Sequence, residues 1–515
     1  MLVRPFIKKF KTKKYNYIYD VNTNHFLRVD DIVFSIIDEI CELSEEGIIE
    51  RWKNYFDEIS IKNSITNIKE AIKKGIFSSS RPLRFHHIFS KNEIIDTLKN
   101  ALTHLTLEVT QQCNLRCLYC SYSGTFYYKR CHNQRDMDFA IAKKAIDFFL
   151  NHSNESENIF ISFYGGEPLL NYSLIKKCVE YINEANKNKN IHYSITTNGI
   201  LLREDIINYL KKNNFFLTVS LDGPKEVNDA FRVFPDGTGT FEIINKNIRL
   251  LHDKGYPHEL VKLNITIVLD SKLSDQMIYF DRLFREKSYS LNPFYVNKKE
   301  STLNEIIREN PGSLSSPYIK ELRNRFKQDL INNNVENSPF LKSLFSTRFK
   351  KIYNRGSFNR FELSFSPNGA CIPGWEKLFV AVDGNFYICE KMTDFVSIGN
   401  VELGFDIKRI FEILEKYCQM CLIDCRECWA IRLCKACYVA AKKNRWLDLE
   451  ERRKYCNNLR ENLLSDMIFY LEVLEENSAA FDFFAKENTI SYMAERIEYM
   501  RRKSDINRGK ICPTY

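Results

Sequence analysis

From about residue 103 the chain alternates short apolar strands with amphipathic helices, and this alternation restricts the fold more than any other feature. LTLEVT reads as a strand and MDFAIAKKAIDFFLNH as a helix. IFISFYGGEP is a strand ending in glycines, and LIKKCVEYINEAN is the next helix. The strands IHYSITTNG, FFLTVSLDGP and VKLNITIVLD follow, separated by the helices REDIINYLKKN and FEIINKNIRLLHDKG. Repeated strand–helix units imply an α/β fold, a parallel sheet with helices outside it. Five to six units are legible, fewer than a closed eight-stranded barrel requires.

At 515 residues the chain is too long for one core, and two to four domains are expected. Residues 16–29 alternate apolar and polar around an Asn-rich turn and predict a β-hairpin. DDIVFSIIDEICEL predicts a helix, and two more helical stretches run to about residue 75, giving a small α+β domain over 1–90. Residues 103–300 hold the strand–helix units, 301–360 a helical bridge, 361–475 a cysteine-rich domain and 476–515 a charged helix or tail. The net charge of +9 is modest for this length, and no Lys/Arg-dense tract argues for nucleic acid. No run of about 18 apolar residues predicts a membrane span. The N-terminus, MLVRPFIKKFKTKKYNY, lacks the apolar core of a signal peptide. A cytoplasmic location is expected, where thiols stay reduced.

That compartment makes the 16 cysteines informative, because clustered thiols there read as metal ligands. Cys113, Cys117 and Cys120 form one group, Cys371 and Cys389 a second, and Cys418, Cys421, Cys425, Cys428, Cys434, Cys437 and Cys456 a third. Cys41 and Cys178 lie on apolar helical patterns and are expected to be packing residues; Cys131 and Cys512 are scattered. The C-x3-C-x2-C group follows a strand directly. Three thiolates there can hold three irons of a [4Fe–4S] cluster and leave the fourth iron open. The alternative is zinc with a distant fourth ligand, for which C-x3-C is unusual spacing.

This motif, with several others in order behind it, resembles the radical S-adenosylmethionine (SAM) superfamily. Tyr119 matches the family's aromatic position beside the adenine. Gly165, Gly166 and Glu167 match the motif that receives the SAM amino group: the glycines permit close approach and a carboxylate can meet an ammonium. Asn198 ends the next strand. Ser220 matches a contact to the SAM carboxylate, and Arg232 matches the arginine that pairs with it. The resemblance implies a partial (β/α)6, TIM-like barrel with its site at the strand C-termini. It also implies reductive cleavage of SAM to a 5′-deoxyadenosyl radical that abstracts hydrogen, fed by an external reductant such as flavodoxin or ferredoxin.

The later cysteines resemble a SPASM domain, which carries two auxiliary [4Fe–4S] clusters and would bring the total to three. Matching positions imply that Cys425, Cys428, Cys434 and Cys456 close one cluster, and that Cys371, Cys389 and Cys437 hold the other. Two residues separate Cys434 from Cys437 where the pattern has three. The second cluster lacks its usual fourth ligand, because Phe365 stands at that position. Either Cys418 or Cys421 supplies it, or the iron is open to a substrate thiolate. Zinc ribbons are the alternative occupants. Glu390 follows Cys389 where sulfatase-maturating relatives carry an aspartate base, and it is a candidate proton acceptor.

The N-terminal hairpin and helices resemble, by pattern and position, a winged-helix-like RiPP recognition element that binds a leader peptide as an added strand. A DNA-binding winged helix or a structural cap would show the same pattern. The whole is similar to radical SAM/SPASM maturases of ribosomally made peptides, with a leader-bearing precursor peptide as partner and neither nucleic acid nor membrane. A thioether or carbon–carbon crosslink is the expected product. Rival readings are a sulfatase-maturating enzyme that forms formylglycine and a non-catalytic iron–sulfur or zinc scaffold.

Overall fold

The computed structural model describes residues 4–486 except 128, 187, 297, 299–300, 310 and 359–362. The expected tail from residue 487 onward, with Cys512, lies outside the described residues.

Three antiparallel strands open the chain: β1 (Ile7–Lys11), β2 (Asn16–Asp20) and β3 (His25–Val29), in the order β1-β2-β3. Helices α1 (Asp31–Ile36), α2 (Glu45–Trp52) and α3 (Glu58–Lys73) follow, capped by Asp30, Ser44 and Asp57, whose side-chain oxygens accept from backbone N–H groups in the first turn. The period of two in NYIYD sends Ile18 to one face of β2 and Tyr17 and Tyr19 to the other. Ile18 packs with Ile36, Ile61, Ile65 and Ile68 of the helices, while the tyrosines join the main core of the molecule. The sheet is therefore buried on both faces. The hairpin expected over 16–29 gains an extra strand, β1, from the basic N-terminal stretch. Cys41 departs from expectation: α1 ends at Ile36, and Cys41 sits half-buried in a turn. Cys178 is fully buried on its helix, as expected.

A two-residue strand, β4 (Arg84–Phe85), and α4 (Lys91–Asn100) lead into the barrel. Its strands are β5 (His104–Thr110), β6 (Asn158–Gly165), β7 (Asn190–Thr197), β8 (Phe216–Ser220), β9 (Val261–Ile267) and β10 (Ser290–Tyr295). The helices between them are α5 (Phe139–Asn151), α6 (Tyr172–Ala185), α7 (Glu204–Lys212), the short α8 (Lys225–Asn228), α9 (Phe241–Asp253) and α10 (Leu273–Lys287). All six strands pair in parallel, each with its sequence neighbour. Helices α11 (Leu303–Ile306), α12 (Pro317–Ile331) and α13 (Pro339–Tyr353) form the stretch after β10.

The cysteine-rich half extends the barrel sheet. Strand β11 (Ser364–Phe365) pairs with β4; β12 (Leu378–Val380) adds in parallel to β5, and β13 (Phe386–Tyr387) adds antiparallel to β12. The single sheet thus runs β10-β9-β8-β7-β6-β5-β12-β13. Helices α14 (Ile407–Asp424), α15 (Tyr438–Ala441) and α16 (Leu449–Leu474) complete this half. Arg323 of α12 and Arg348 of α13 both bind the buried Asp466 of α16, an ion-paired cluster that joins the helices after β10 to the cysteine-rich half. Among the described residues no helix is long and apolar enough to cross a membrane.

Candidate active site

Cys113, Cys117 and Cys120 lie in the loop that leaves the carboxyl end of β5. The loop is fixed by backbone bonds from Arg116 N to Val233 O (2.8 Å) and Leu118 N to Phe231 O (2.9 Å). The N–H groups of Leu115 and Tyr122 each donate to a thiol sulfur, Cys113 and Cys120 respectively, at 3.4 Å. Burial pushes the Cys113 thiol up to about 12 and Cys117 up to about 11, and it raises Cys120 as well; the three thiols also repel one another's ionisation. A positively charged metal centre would be needed to hold them as thiolates.

Gly165 and Gly166 close β6 against this loop. A Cβ at Gly165 would overlap the Thr110 carbonyl, and one at Gly166 the Gln112 carbonyl and Cys113 Cβ. Close approach to the cysteine loop is thus what requires glycine here. Glu167, the residue expected to meet the SAM ammonium, also has partners within the chain. It is fully buried and accepts from Thr197 Oγ1 (2.7 Å), Asn198 N (2.7 Å) and Leu169 N (3.1 Å). Three donors from the chain leave acceptor capacity on Oε2, and through them the carboxylate braces the end of β6 against the end of β7. Asn198, placed by that brace, donates Nδ2 to Asn114 Oδ1 at 2.7 Å and stands 3.9 Å from Cys113 Sγ.

Ser220 is the last residue of β8 and is half-buried, in register with Asn264. Two residues on is Asp222, which motif reading passed over. It is buried and accepts from Thr266 N at 2.9 Å and from the Tyr119 hydroxyl. Arg232 donates to the same Tyr119 hydroxyl at 2.9 Å, and its buried Nε has no partner. Tyr119, Asp222 and Arg232 therefore form one buried, polar unit, electrostatically coupled to Cys117. The unpartnered Nε leaves Arg232 able to take an anionic ligand, while Asp222 orients the pair. An acid directly before a Gly-Pro turn at a strand end, as in SLDGP, is the sequence signal for Asp222.

The later cysteines separate into two groups. Cys371, Cys389 and Cys437 are mutual neighbours, and burial raises Cys371 strongly and Cys389 to about 11. The Tyr438 hydroxyl donates to the Cys371 carbonyl at 2.6 Å. Cys425, Cys428, Cys434 and Cys456 line one cavity, together with Phe365, Cys421, Arg452 and Arg460. Cys421 is thus drawn to this second group rather than the first. Its thiol donates to Cys425 and, helped by the Arg452 guanidinium, holds Cys425 below the ordinary thiol range. Cys418 is half-buried on α14, close to Glu415. Phe365 stacks edge-on against Phe85 at 6.0 Å.

Among the described residues no three Cys, His, Asp or Glu side chains converge tightly enough to hold a single metal ion. The donor sets, all thiols in separate groups of three and four, fit iron–sulfur clusters.

Glu390 follows Cys389 and pairs with Lys377 Nζ at 3.0 Å. Burial pushes its carboxyl up, but the Lys377 ammonium more than offsets this and holds it below the usual range. It lies close enough to Tyr164 and His104 to act on both electrostatically.

Six parallel strands with a three-thiol loop at their carboxyl end, joined to a second thiol-rich half, define an iron–sulfur enzyme built on a partial barrel. Residues 107–279 match the model of the radical SAM superfamily. The chain belongs to that superfamily, which implies a [4Fe–4S] cluster and SAM as cofactors. It is 36% identical over 236 residues to an uncharacterised protein of Methanocaldococcus jannaschii, covering 44% of this chain and 77% of that protein. It is 27% identical over 321 residues to the cysteine-type anaerobic sulfatase-maturating enzyme of Clostridium novyi, covering 61% of this chain and 79% of the enzyme. The fold is shared with the solved structure of native anSMEcpe with bound AdoMet and Cp18Cys peptide, at a TM-score of 0.53 and 23% identity, over 73% of this chain and 99% of that one.

Proposed function

We propose that this enzyme modifies a ribosomally made precursor peptide, forming a thioether or carbon–carbon crosslink. One observation carries the peptide reading. Strand β3 lies at the edge of its sheet, with β2 on one side only. Among the described residues no strand pairs with its outer edge, which can accept a leader peptide as an added strand. The same sheet is docked on the cysteine-rich half: Tyr19 meets Trp429, Phe26 meets Tyr470, and Arg432 donates to the Val21 and Asn22 carbonyls. A leader held there would be tied to the catalytic body. The proposal divides the chain into a leader-binding unit over 1–90, the barrel over 103–300, a bridge over 301–360 and the auxiliary-cluster unit over 361–475.

In this reading Cys113, Cys117 and Cys120 hold a [4Fe–4S] cluster with one iron left for SAM. When bound, the pair supplies a 5′-deoxyadenosyl radical for hydrogen abstraction. Gly165 and Gly166 let the loop and strand close on that site. Asn198 and Ser220 offer polar contacts, Tyr119 an aromatic wall, and Arg232 a cation for the SAM carboxylate. Glu167 and Asp222 position them. Cys425, Cys428, Cys434 and Cys456 hold a closed auxiliary cluster; Cys371, Cys389 and Cys437 hold a second. With Cys421 beside Cys425, Cys418 or a substrate thiolate is left as the fourth ligand of that second cluster, and we take the substrate thiolate as the reading to test. Electrons come from an external reductant such as flavodoxin or ferredoxin.

Sulfatase maturation is the second reading, favoured by the match to most of the C. novyi enzyme's length. Glu390 would then be the base, yet its ion pair with Lys377 makes it a weak one. The deciding experiment incubates the reduced enzyme with SAM and either a leader-bearing cysteine peptide or a sulfatase peptide. Mass spectrometry should show loss of two hydrogens with sulfur retained in the first. Loss of sulfur from the sulfatase peptide, with the leader peptide untouched, would establish maturation instead. In parallel, the leader peptide should protect β3 amides from hydrogen exchange, and unprotected β3 amides at saturating peptide would rule out strand addition.

A further inference from the structure

Helix α16 carries Arg452, Cys456 and Arg460 at successive intervals of four residues, which places them in one row on the face that lines the four-thiol cavity. Arg452 is 1% exposed. One of its nitrogens donates to Cys425 Sγ at 2.8 Å and to Cys421 Sγ at 3.3 Å, and its guanidinium lies 5.3 Å from the Tyr417 ring centroid. Its other two nitrogens, Nε and Nη1, are buried and have no hydrogen-bond partner. The acid lining the same cavity, Asp424, is bound by Arg453. Two further cations stand nearby: Arg460 beside Cys428, and Lys351, which donates to the Cys434 carbonyl at 2.6 Å.

A guanidinium keeps its proton under all ordinary conditions. An uncompensated buried charge is strongly destabilising, and so are orphaned donors. The arrangement is explicable once an anion occupies the cavity. Four thiolates and four sulfides outweigh the charge of four irons, so a closed [4Fe–4S] centre is such an anion.

We propose that Arg452 is the countercation and hydrogen-bond donor of the cluster held by Cys425, Cys428, Cys434 and Cys456, and that it raises the reduction potential of this centre. Reduction adds negative charge, and a fixed adjacent cation with N–H groups aimed at sulfur favours the reduced form. Arg452 thus acts as a positioning and tuning residue. The inference rests on the assignment of this cysteine group to an iron–sulfur cluster.

The test uses the full chain, reconstituted anaerobically, with Cys113, Cys117 and Cys120 changed to Ala so that only auxiliary clusters remain. Iron, sulfide and zinc analysis of that protein comes first: zinc in place of iron would defeat the underlying assignment, separately from the role of Arg452. The relevant paramagnetic signal is the one lost on Cys428→Ala. In Arg452→Gln its midpoint should fall by about a tenfold change in the reduction equilibrium, ~59 mV for one electron. Full iron content with an unchanged or higher midpoint overturns the proposal. If Arg452→Gln instead loses one cluster's iron, Arg452→Lys decides. Retention of iron by the Lys variant shows that the cation holds the anion, and loss in both variants shows a requirement for shape alone and overturns the proposal.

Discussion

Glu167 separates a bracing role from a ligand role, and its surroundings set the size of the effect. Its two carboxylate oxygens receive three donors, two of them backbone N–H groups, at Asn198 and Leu169. In Glu167→Gln, one oxygen becomes an amide nitrogen. Turned toward Asn198, that nitrogen confronts an N–H. Turned the other way, the Thr197 hydroxyl can rotate to accept, but Leu169 N–H then loses its partner. Either orientation strands one buried donor, at a cost of about 1–3 kcal/mol. Where exchange proceeds through local opening, this corresponds to roughly 5- to 150-fold faster hydrogen exchange at the stranded amide. Glu167→Ala strands all three donors and should accelerate exchange at both amides by at least the upper end of that range. The assay is hydrogen–deuterium exchange with mass spectrometry on peptides spanning 165–171 and 195–200, in parallel with SAM binding by equilibrium dialysis. Bracing predicts faster exchange in both segments, with SAM affinity falling in step. Unchanged exchange in the Gln variant together with abolished SAM binding would refute bracing and return Glu167 to a direct contact with the amino group.

Changing Cys113, Cys117 and Cys120 to Ala should abolish formation of 5′-deoxyadenosine and remove one cluster's iron, leaving the auxiliary iron in place; deoxyadenosine still formed after reduction would disprove the catalytic assignment. Cys421→Ala should retain the cluster held by Cys371, Cys389 and Cys437, because Cys421 sits beside Cys425; Cys418→Ala should retain it as well when a substrate thiolate fills the fourth position, and loss of that cluster in either variant would identify its fourth ligand. Burial, reinforced by Lys377, lowers the His104 imidazole to about 4. The unfolded imidazole titrates near 6.5. Between these values the unfolded chain binds more protons, so stability falls as pH drops from about 6.5 to 4, by roughly 3 kcal/mol in all from this residue. His104→Gln should flatten that acid limb in denaturant midpoints measured across the interval, and an unaltered slope would show that His104 does not contribute to it.

The amino-acid sequence by itself determined the features that depend on neighbours along the chain. Strand and helix periods placed β5 to β9 and the helices between them, because side-chain alternation is a local property of each backbone form. The spacing of Cys113, Cys117 and Cys120 singled out the proposed ligand loop for the same reason: three candidate ligands within eight residues need no tertiary information. The tertiary structure alone decided what depends on partners far away in sequence. Glu167 and Arg232 carry charges suited to SAM in isolation; packing adds that the Glu167 carboxylate also accepts from the chain's own donors, and that Arg232 donates to the Tyr119 hydroxyl, which donates to Asp222. Cys418 and Cys421 are equivalent candidates in sequence, yet the pitch of α14 and its contact with α16 carry Cys421 to Cys425 and Arg452. β12 is three residues long, too short for its own pattern to show, and it becomes a strand only because β5 offers it a free edge. Arg452 reads as one more cation on a charged helix until the fold buries it among thiols, where among the described residues its Nε and Nη1 find no acceptor, and only then does its position demand an anion.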